Sequence, residues 1–231
     1  MLNSEEKILA AQIIDVSKRL YDRGHIVSRS GNVSCRLDDG SILITPSRLR
    51  KANLKPEEMC VISLDGKTLR GNPNPSSEYR VHCAAYRNRA DIKAVVHAHS
   101  PYVTICSLAT ISFEYPLLPE TALSLGSIPT IPYAQPGSEE LASAVAPFLV
   151  DHNAVILERH GLVTLGAELE EAFDRLEEVE HAAKIAYFVS AKGRLPVLGR
   201  AQLLGMVNFA KRQGFPVPDV AMRLLHKILA R

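Results

Sequence analysis

Two Asp-Gly pairs, Asp39-Gly40 and Asp65-Gly66, each lie between short apolar runs, and they constrain the fold more than any other feature. Asp-Gly between strand-like segments is a tight-turn signal, because these residues accept the positive φ such turns demand. The stretches "NVSCRLDDGSILIT" and "CVISLDGKTL" therefore predict two hairpins. A further strand pair is expected in "AVILERHGLVTLG", broken at His160-Gly161. Hairpins join antiparallel neighbours, whereas parallel strands need long crossovers. These signals outnumber clean strand–helix–strand units, so the sheet of this α/β domain should be mostly antiparallel.

Helices are expected around that sheet. Ser4 can cap a first helix with Glu5 and Glu6 in its opening turn, where the helix dipole favours acids. Ile8, Leu9, Ile13, Val16 and Leu20 give it an apolar stripe, and Gly24 ends it. "NPNPSSEYRVHCAAYRNR" begins as a loop and becomes a helix capped by Ser76 or Ser77. A strand up to His99 follows, then a short helix from Pro101 to Leu108. "SIPTIPYAQPG" is proline-rich and should cross the surface. "ELEEAFDRLEEVEHAAKIAYFVSAKG" is a long helix with Ala172, Leu176, Val179 and Ala183 on one side. "RLPVLG" reads as a linker before two weaker helices. Residues 1–195 should form the main body and 196–231 a helical appendage of the same domain.

The net charge of +2 offers no phosphate-neutralising surface for nucleic acid. No stretch approaches the ~18 apolar residues of a membrane span, and "MLNSEEKILA" lacks the apolar core of a signal peptide. Cys35, Cys60, Cys83 and Cys106 have no CxxC spacing and read as reduced thiols of a cytoplasmic protein.

Chemistry concentrates in "AVVHAHSPY", Ala94 to Tyr102. Alternate residues of a strand share a face, so His97 and His99 project side by side. Buried imidazoles need partners: either ordinary hydrogen bonds or a metal. A zinc site needs a third ligand from elsewhere, and His160, at the end of an apolar strand before Gly161, is the candidate. His25, His152, His181 and His226 read as solvated or hydrogen-bonded. His82, four residues after Glu78, shares its helix face and is either a support for the site or a buried helix residue. Glu78 lies at a helix start, where free N–H groups stabilise an anion, and the Ser76–Ser77 turn there is either a phosphate cradle or a simple cap. "SGNVS" offers Gly31 for close backbone approach and Asn32 as a donor, and "ITPSRLR" places Ser47 and Arg48 at a strand end.

In this order, "GNVS" (Gly31–Ser34), "ITPS" (Ile44–Ser47), "PSSE" (Pro75–Glu78), "AVVHAHSP" (Ala94–Pro101) and "HGL" (His160–Leu162) resemble the class II aldolase/adducin family, from about residue 5 to residue 195. The resemblance implies a three-layer αβα sandwich around a central, mostly antiparallel sheet. It implies Zn²⁺, or alternatively Mn²⁺ or Co²⁺, on His97, His99 and His160, with Glu78 as fourth ligand at rest. It implies a phosphate site among Gly31, Asn32, Ser47, Ser76 and Ser77, and a homotetramer with active sites at subunit interfaces. The reaction expected first is aldol cleavage of a ketose 1-phosphate, fuculose 1-phosphate or similar, to dihydroxyacetone phosphate and a short aldehyde. Glu78 would move the proton at carbon, and Tyr115, reaching a neighbour's site, or Glu120 would serve the aldehyde oxygen.

Three departures stand out. Arg48 replaces a glycine that many relatives carry after "ITPS" or "ITPT", Arg29 replaces a small residue, and Arg159 precedes His160 where Asn or His is commoner. An arginine can fork onto a phosphate or a carboxylate. Alternatives within the family are 4-epimerisation of ribulose 5-phosphate, dehydration of methylthioribulose 1-phosphate and decarboxylation of a sugar-acid phosphate. A non-catalytic adducin-like scaffold stands against the retained histidines and Glu78.

Overall fold

The computed structural model describes residues 2–230. The chain opens with α1 (Ser4–Asp22), and its N-cap is Asn3 rather than Ser4. Asn3 accepts from the Glu6 N–H and the Glu6 carboxylate accepts from the Asn3 N–H, both at 2.9 Å. Glu6 stands three residues after Asn3 and completes this reciprocal box, which Ser4 could not form. The first hairpin follows as β1 (Asn32–Arg36) and β2 (Ile42–Ile44), and the second as β3 (Cys60–Ile62) and β4 (Thr68–Gly71). Then come α2 (Tyr79–Asn88), β5 (Ala94–Ala98), α3 (Pro101–Leu108), α4 (Pro119–Ser124), β6 (Thr130–Ile131) and α5 (Glu139–Leu149). The chain continues with β7 (Ala154–Leu157), β8 (Gly161–Gly166), α6 (Leu169–Ser190), α7 (Arg200–Gln213) and α8 (Asp219–Ala230).

The eight strands form one sheet in the order β4-β3-β2-β1-β5-β8-β7-β6. Every neighbouring pair is antiparallel except β6 with β7. Three elements differ from the sequence reading. The proline-rich "SIPTIPYAQPG" contributes the edge strand β6, and α4 and α5 occupy stretches for which the sequence predicts no helix, α5 with Pro147 inside it. Proline is tolerated at a sheet edge because its missing N–H faces no partner.

Alternation along β5 sorts the layers. Ala94, Val96 and Ala98 pack with α1, α3 and α6, through Ile13, Val16, Val103, Leu176 and Val179. Val95 packs on the opposite face with α2 and α5, through Val81, Ala85, Leu141 and Val145. The result is the expected αβα sandwich. A smaller cluster of Ala122, Leu203, Val207, Leu225 and Leu229 ties α7 and α8 to α4. All four cysteines are buried and unpaired. No helix among the described residues is long and apolar enough to cross a membrane.

Candidate metal centre

His97 continues the Val95 face of β5, towards α2, and is 1% exposed. Its Nδ1 lies 3.0 Å from the Leu162 carbonyl of β8, which accepts the Nδ1–H. That bond fixes the tautomer and leaves the Nε2 lone pair facing inward. His99 lies just past the strand end, and His160 closes the β7–β8 turn. The three ring centroids are 4.8 to 5.1 Å apart. A Cβ at Gly161 would meet the Ala98 carbonyl oxygen at 2.2 Å, so only glycine lets the chain after His160 press against β5. Glu180 of α6 accepts the N–H groups of Tyr102 and Val103 at 3.0 and 2.9 Å. It supplies the cap that α3 lacks and so holds the segment directly after His99.

Glu78 is the N-cap of α2 and is not capped by Ser76 or Ser77; its own N–H donates to Ser76 Oγ at 3.3 Å. Its Oε2 lies 2.9 Å from His97 Nε2 and its Oε1 3.0 Å from His160 Nε2. One donor atom from each of Glu78, His97, His99 and His160 lies within 4.8 Å of all the others.

These residues fit a divalent cation. His97 Nε2 is buried without a hydrogen-bond partner, although Glu78 Oε2 is near it. With its Nδ1–H on the Leu162 carbonyl, that nitrogen turns a lone pair towards the carboxylate oxygens, as ligands aimed at a shared centre do. Burial opposes charge on Glu78, yet the neighbouring imidazoles of His97 and His160 hold its carboxyl well below the usual range. Burial also opposes charge on His97, and Glu78 reverses this and raises its pKa. His99 is pushed down to about 3, first by burial and then by His97 and His160. The cluster therefore holds an anion that draws positive charge, and neutral imidazoles suit a metal of zinc, manganese or cobalt type.

A buried polar chain backs Glu78. Asn32 donates its amide Nδ2–H to Glu78 Oε2 at 3.1 Å, and its Oδ1 is 2.5 Å from His82 Nε2. His82 Nδ1 is 2.6 Å from Ser34 Oγ, and the Tyr86 hydroxyl donates to the Ser34 carbonyl at 2.9 Å. His82 is fully buried, and burial is the main cause that pushes its pKa down to about 3.

Beside the cluster opens a cleft of about 410 Å³, lined by Arg29, Ser30, Gly31, Asn32, Ser47, Arg48, Lys51, Ser76, Ser77, Glu78 and His99. The five residues expected around the phosphate line it, together with Arg29 and Arg48. Gly31 is needed at φ +74°, where a Cβ would strike Ile26 at 2.5 Å. Arg48 holds φ +62° without being glycine, a left-handed conformation costing ~1–2 kcal/mol. Asn32 lines the cleft, but its amide is committed to Glu78 and His82, so a ligand phosphate finds serine and backbone donors first. The sequence reading missed Lys51. It is 2% exposed, donates to the carbonyls of Arg29 and Leu49 at 3.2 and 2.9 Å, and is pushed down to about 8 by burial. Among the described residues, Arg29, Arg48 and Lys51 form no ion pair. Arg159 points away, exposed and paired with Glu158 at 3.4 Å. Tyr115 and Glu120 do not line this cleft. His25, expected in solvent or hydrogen-bonded, is buried near Glu177, with its Nδ1 unpartnered.

Residues 11–187 match the family described as the Class II Aldolase and Adducin N-terminal domain. A 3-oxo-tetronate 4-phosphate decarboxylase of Escherichia coli (strain K12) is 34% identical over 188 residues, 80% of this chain and 88% of that protein. An L-fuculose phosphate aldolase of Methanococcus maripaludis is 36% identical over 179 residues, 78% of this chain and 96% of that protein. A solved L-fuculose 1-phosphate aldolase superposes with a TM-score of 0.82 at 28% identity, covering 91% of this chain and 98% of that one. The chain belongs to the class II aldolase and adducin family and is one of its enzymes.

Proposed function

We propose that the chain is a divalent-metal-dependent lyase that breaks the bond joining the carboxylate of a small phosphorylated 3-oxo sugar acid to the carbon beside its ketone, releasing carbon dioxide. The observation that carries this reading is the cleft wall: Arg29, Arg48 and Lys51 have no acidic partner and stand beside the Glu78–His97–His99–His160 cluster. A phosphate dianion can neutralise two of these cations, and a carboxylate matches the third. The relative named as a 3-oxo-tetronate 4-phosphate decarboxylase supports such a substrate.

His97, His99, His160 and, at rest, Glu78 would hold the cation. Zn²⁺ is the first choice and Mn²⁺ or Co²⁺ the alternatives. Bound there, it supplies Lewis-acid stabilisation of the charge that builds on the substrate carbonyl oxygen. The chain's own groups do the rest. Gly31, Ser47, Ser76 and Ser77 hold the phosphate and fix the sugar against the cluster. Glu78 moves the proton at the carbon where the bond has broken, steered by Asn32. Decarboxylation needs only that one proton-transfer group, and Glu78 is the one carboxylate among the described residues that line the cleft.

A second reading is the reaction that the family resemblance puts first, aldol cleavage of a ketose 1-phosphate to dihydroxyacetone phosphate. It is favoured by the L-fuculose phosphate aldolase relative and by Tyr115, which is 38% exposed and able to serve a neighbouring subunit. This reading requires a homotetramer with sites at subunit boundaries. In either case residues 1–195 and 196–231 act as one unit, and the four unpaired thiols suit the cytoplasm. The test is incubation of the metal-loaded protein with a 3-oxo sugar acid phosphate and, separately, with ketose 1-phosphates. Carbon dioxide release that is lost in Glu78→Gln supports the first reading. Dihydroxyacetone phosphate release with no carbon dioxide contradicts it and selects the second.

A further inference from the structure

The buried chain behind Glu78 runs in one direction. The Tyr86 hydroxyl donates to the Ser34 carbonyl at 2.9 Å and lies 2.8 Å from Ser34 Oγ. Because the Glu78 carboxylate only accepts, Asn32 turns its Nδ2–H to it and its Oδ1 to His82 Nε2. His82 Nδ1, 2.6 Å from Ser34 Oγ, therefore accepts the hydroxyl proton. With Nδ1 accepting, neutral His82 carries its proton on Nε2 and donates to Asn32 Oδ1 at 2.5 Å. Asn32 then has one orientation available, with Nδ2–H pointing at Glu78 Oε2, 3.1 Å away. A flipped amide would set an oxygen lone pair against the carboxylate and an N–H against an N–H. Ser34 and His82 are fully buried, so no water is at hand to absorb a reversal.

We propose that His82 is a positioning residue for Glu78: it locks the Asn32 amide as a donor and so fixes where the carboxylate sits between the metal position and the cleft. His82 touches neither a ligand atom nor the cleft, so its effect passes entirely through Asn32. This inference rests on the metal reading above. Groups that orient a metal-binding residue in this way are worth about 10–100-fold in affinity or activity.

The test uses Co²⁺ as a spectroscopic probe on the full chain. His82→Leu keeps roughly the same volume and removes both hydrogen bonds. In His82→Gln the side-chain amide reaches towards Asn32 Oδ1 and keeps the donor. Co²⁺ affinity and the visible absorption of the bound ion are recorded for each, with thermal midpoints to confirm folding. The expected result is about 10-fold weaker Co²⁺ binding and a changed spectrum for His82→Leu, with His82→Gln within about threefold of the parent. With substrate, His82→Leu should lower kcat and leave KM nearly unchanged, because the phosphate contacts are intact. Leu and Gln variants that behave alike at equal stability overturn the proposal. If His82→Leu does not fold, Ser34→Ala tests the same chain by releasing the His82 tautomer. It should weaken Co²⁺ binding several-fold, and unchanged binding overturns the proposal. Failure of the parent chain to bind Co²⁺ contradicts the metal reading itself, and this inference falls with it.

Discussion

Gly161→Ala should damage both the fold and the metal centre, and the structure sets the scale. The added Cβ would lie 2.2 Å from the Ala98 carbonyl oxygen and 3.1 Å from the His99 Cα. Ordinary contact begins near 3.4 Å, so about 1.2 Å of separation (3.4 − 2.2) must be found. The opposing atoms are backbone, at the end of β5 where Ala98 pairs with Leu162 of β8 and in the residue directly after it, and cannot rotate away as a side chain would. Overpacking of this kind costs ~1–3 kcal/mol, and a backbone clash belongs at the upper end. A loss of ~3 kcal/mol lowers the melting temperature of a chain this size by about 6–12 °C. The displaced segments carry His99 and His160, so Co²⁺ affinity should fall as well. Gly205→Ala is the control. It lies within α7, has no atom within 4 Å of the new Cβ, and should stabilise by up to ~1 kcal/mol through helix propensity. Thermal unfolding and Co²⁺ titration of the two variants decide the matter. Parent-like stability and metal binding in Gly161→Ala would refute the reasoning.

Glu78→Gln should retain most metal, since one side-chain oxygen remains, and lose about 10²–10⁴ in turnover; kinetics beside metal analysis checks this. Lys51→Met should stabilise the fold while weakening binding of inorganic phosphate, measured by calorimetry. Burial brings the folded-state pKa of Lys51 from 10.5 down to about 8, so the native chain binds fewer protons than the unfolded chain across that window. The parent should therefore gain stability relative to Lys51→Met as pH rises from 8 to 10.5, and its phosphate affinity should fall over the same rise. Asn3→Ala removes the capping box of α1 and should cost ~1 kcal/mol in urea unfolding.

The hairpins at Gly40 and Gly66 were legible because their turns are written in local sequence, and so were α3 and α6. Elements decided by distant partners were not. β6 is two residues long and exists only because β7 pairs with it. α5 has a serine cap at Ser138 and acids behind it, but Pro147 hides the pattern. Of the site, the His97–His99 pair showed in strand alternation, and His160 joins them because β8 pairs with β5. The opposition of Glu78 to two imidazoles depends on where α2 docks. Lys51 carried no signal at all: its burial comes from carbonyls of two loops folding over it. Tyr115 and Glu120 came from the family resemblance alone, and the protomer leaves both off the cleft wall.

Anomalous diffraction at the zinc absorption edge, from crystals grown with zinc, tests the central claim most directly. The account predicts one peak per chain at ~2.0–2.2 Å from nitrogens of His97, His99 and His160, absent in crystals of His97→Ala. A zinc-loaded crystal with no density among those three rings, or with its peak elsewhere on the chain, contradicts it.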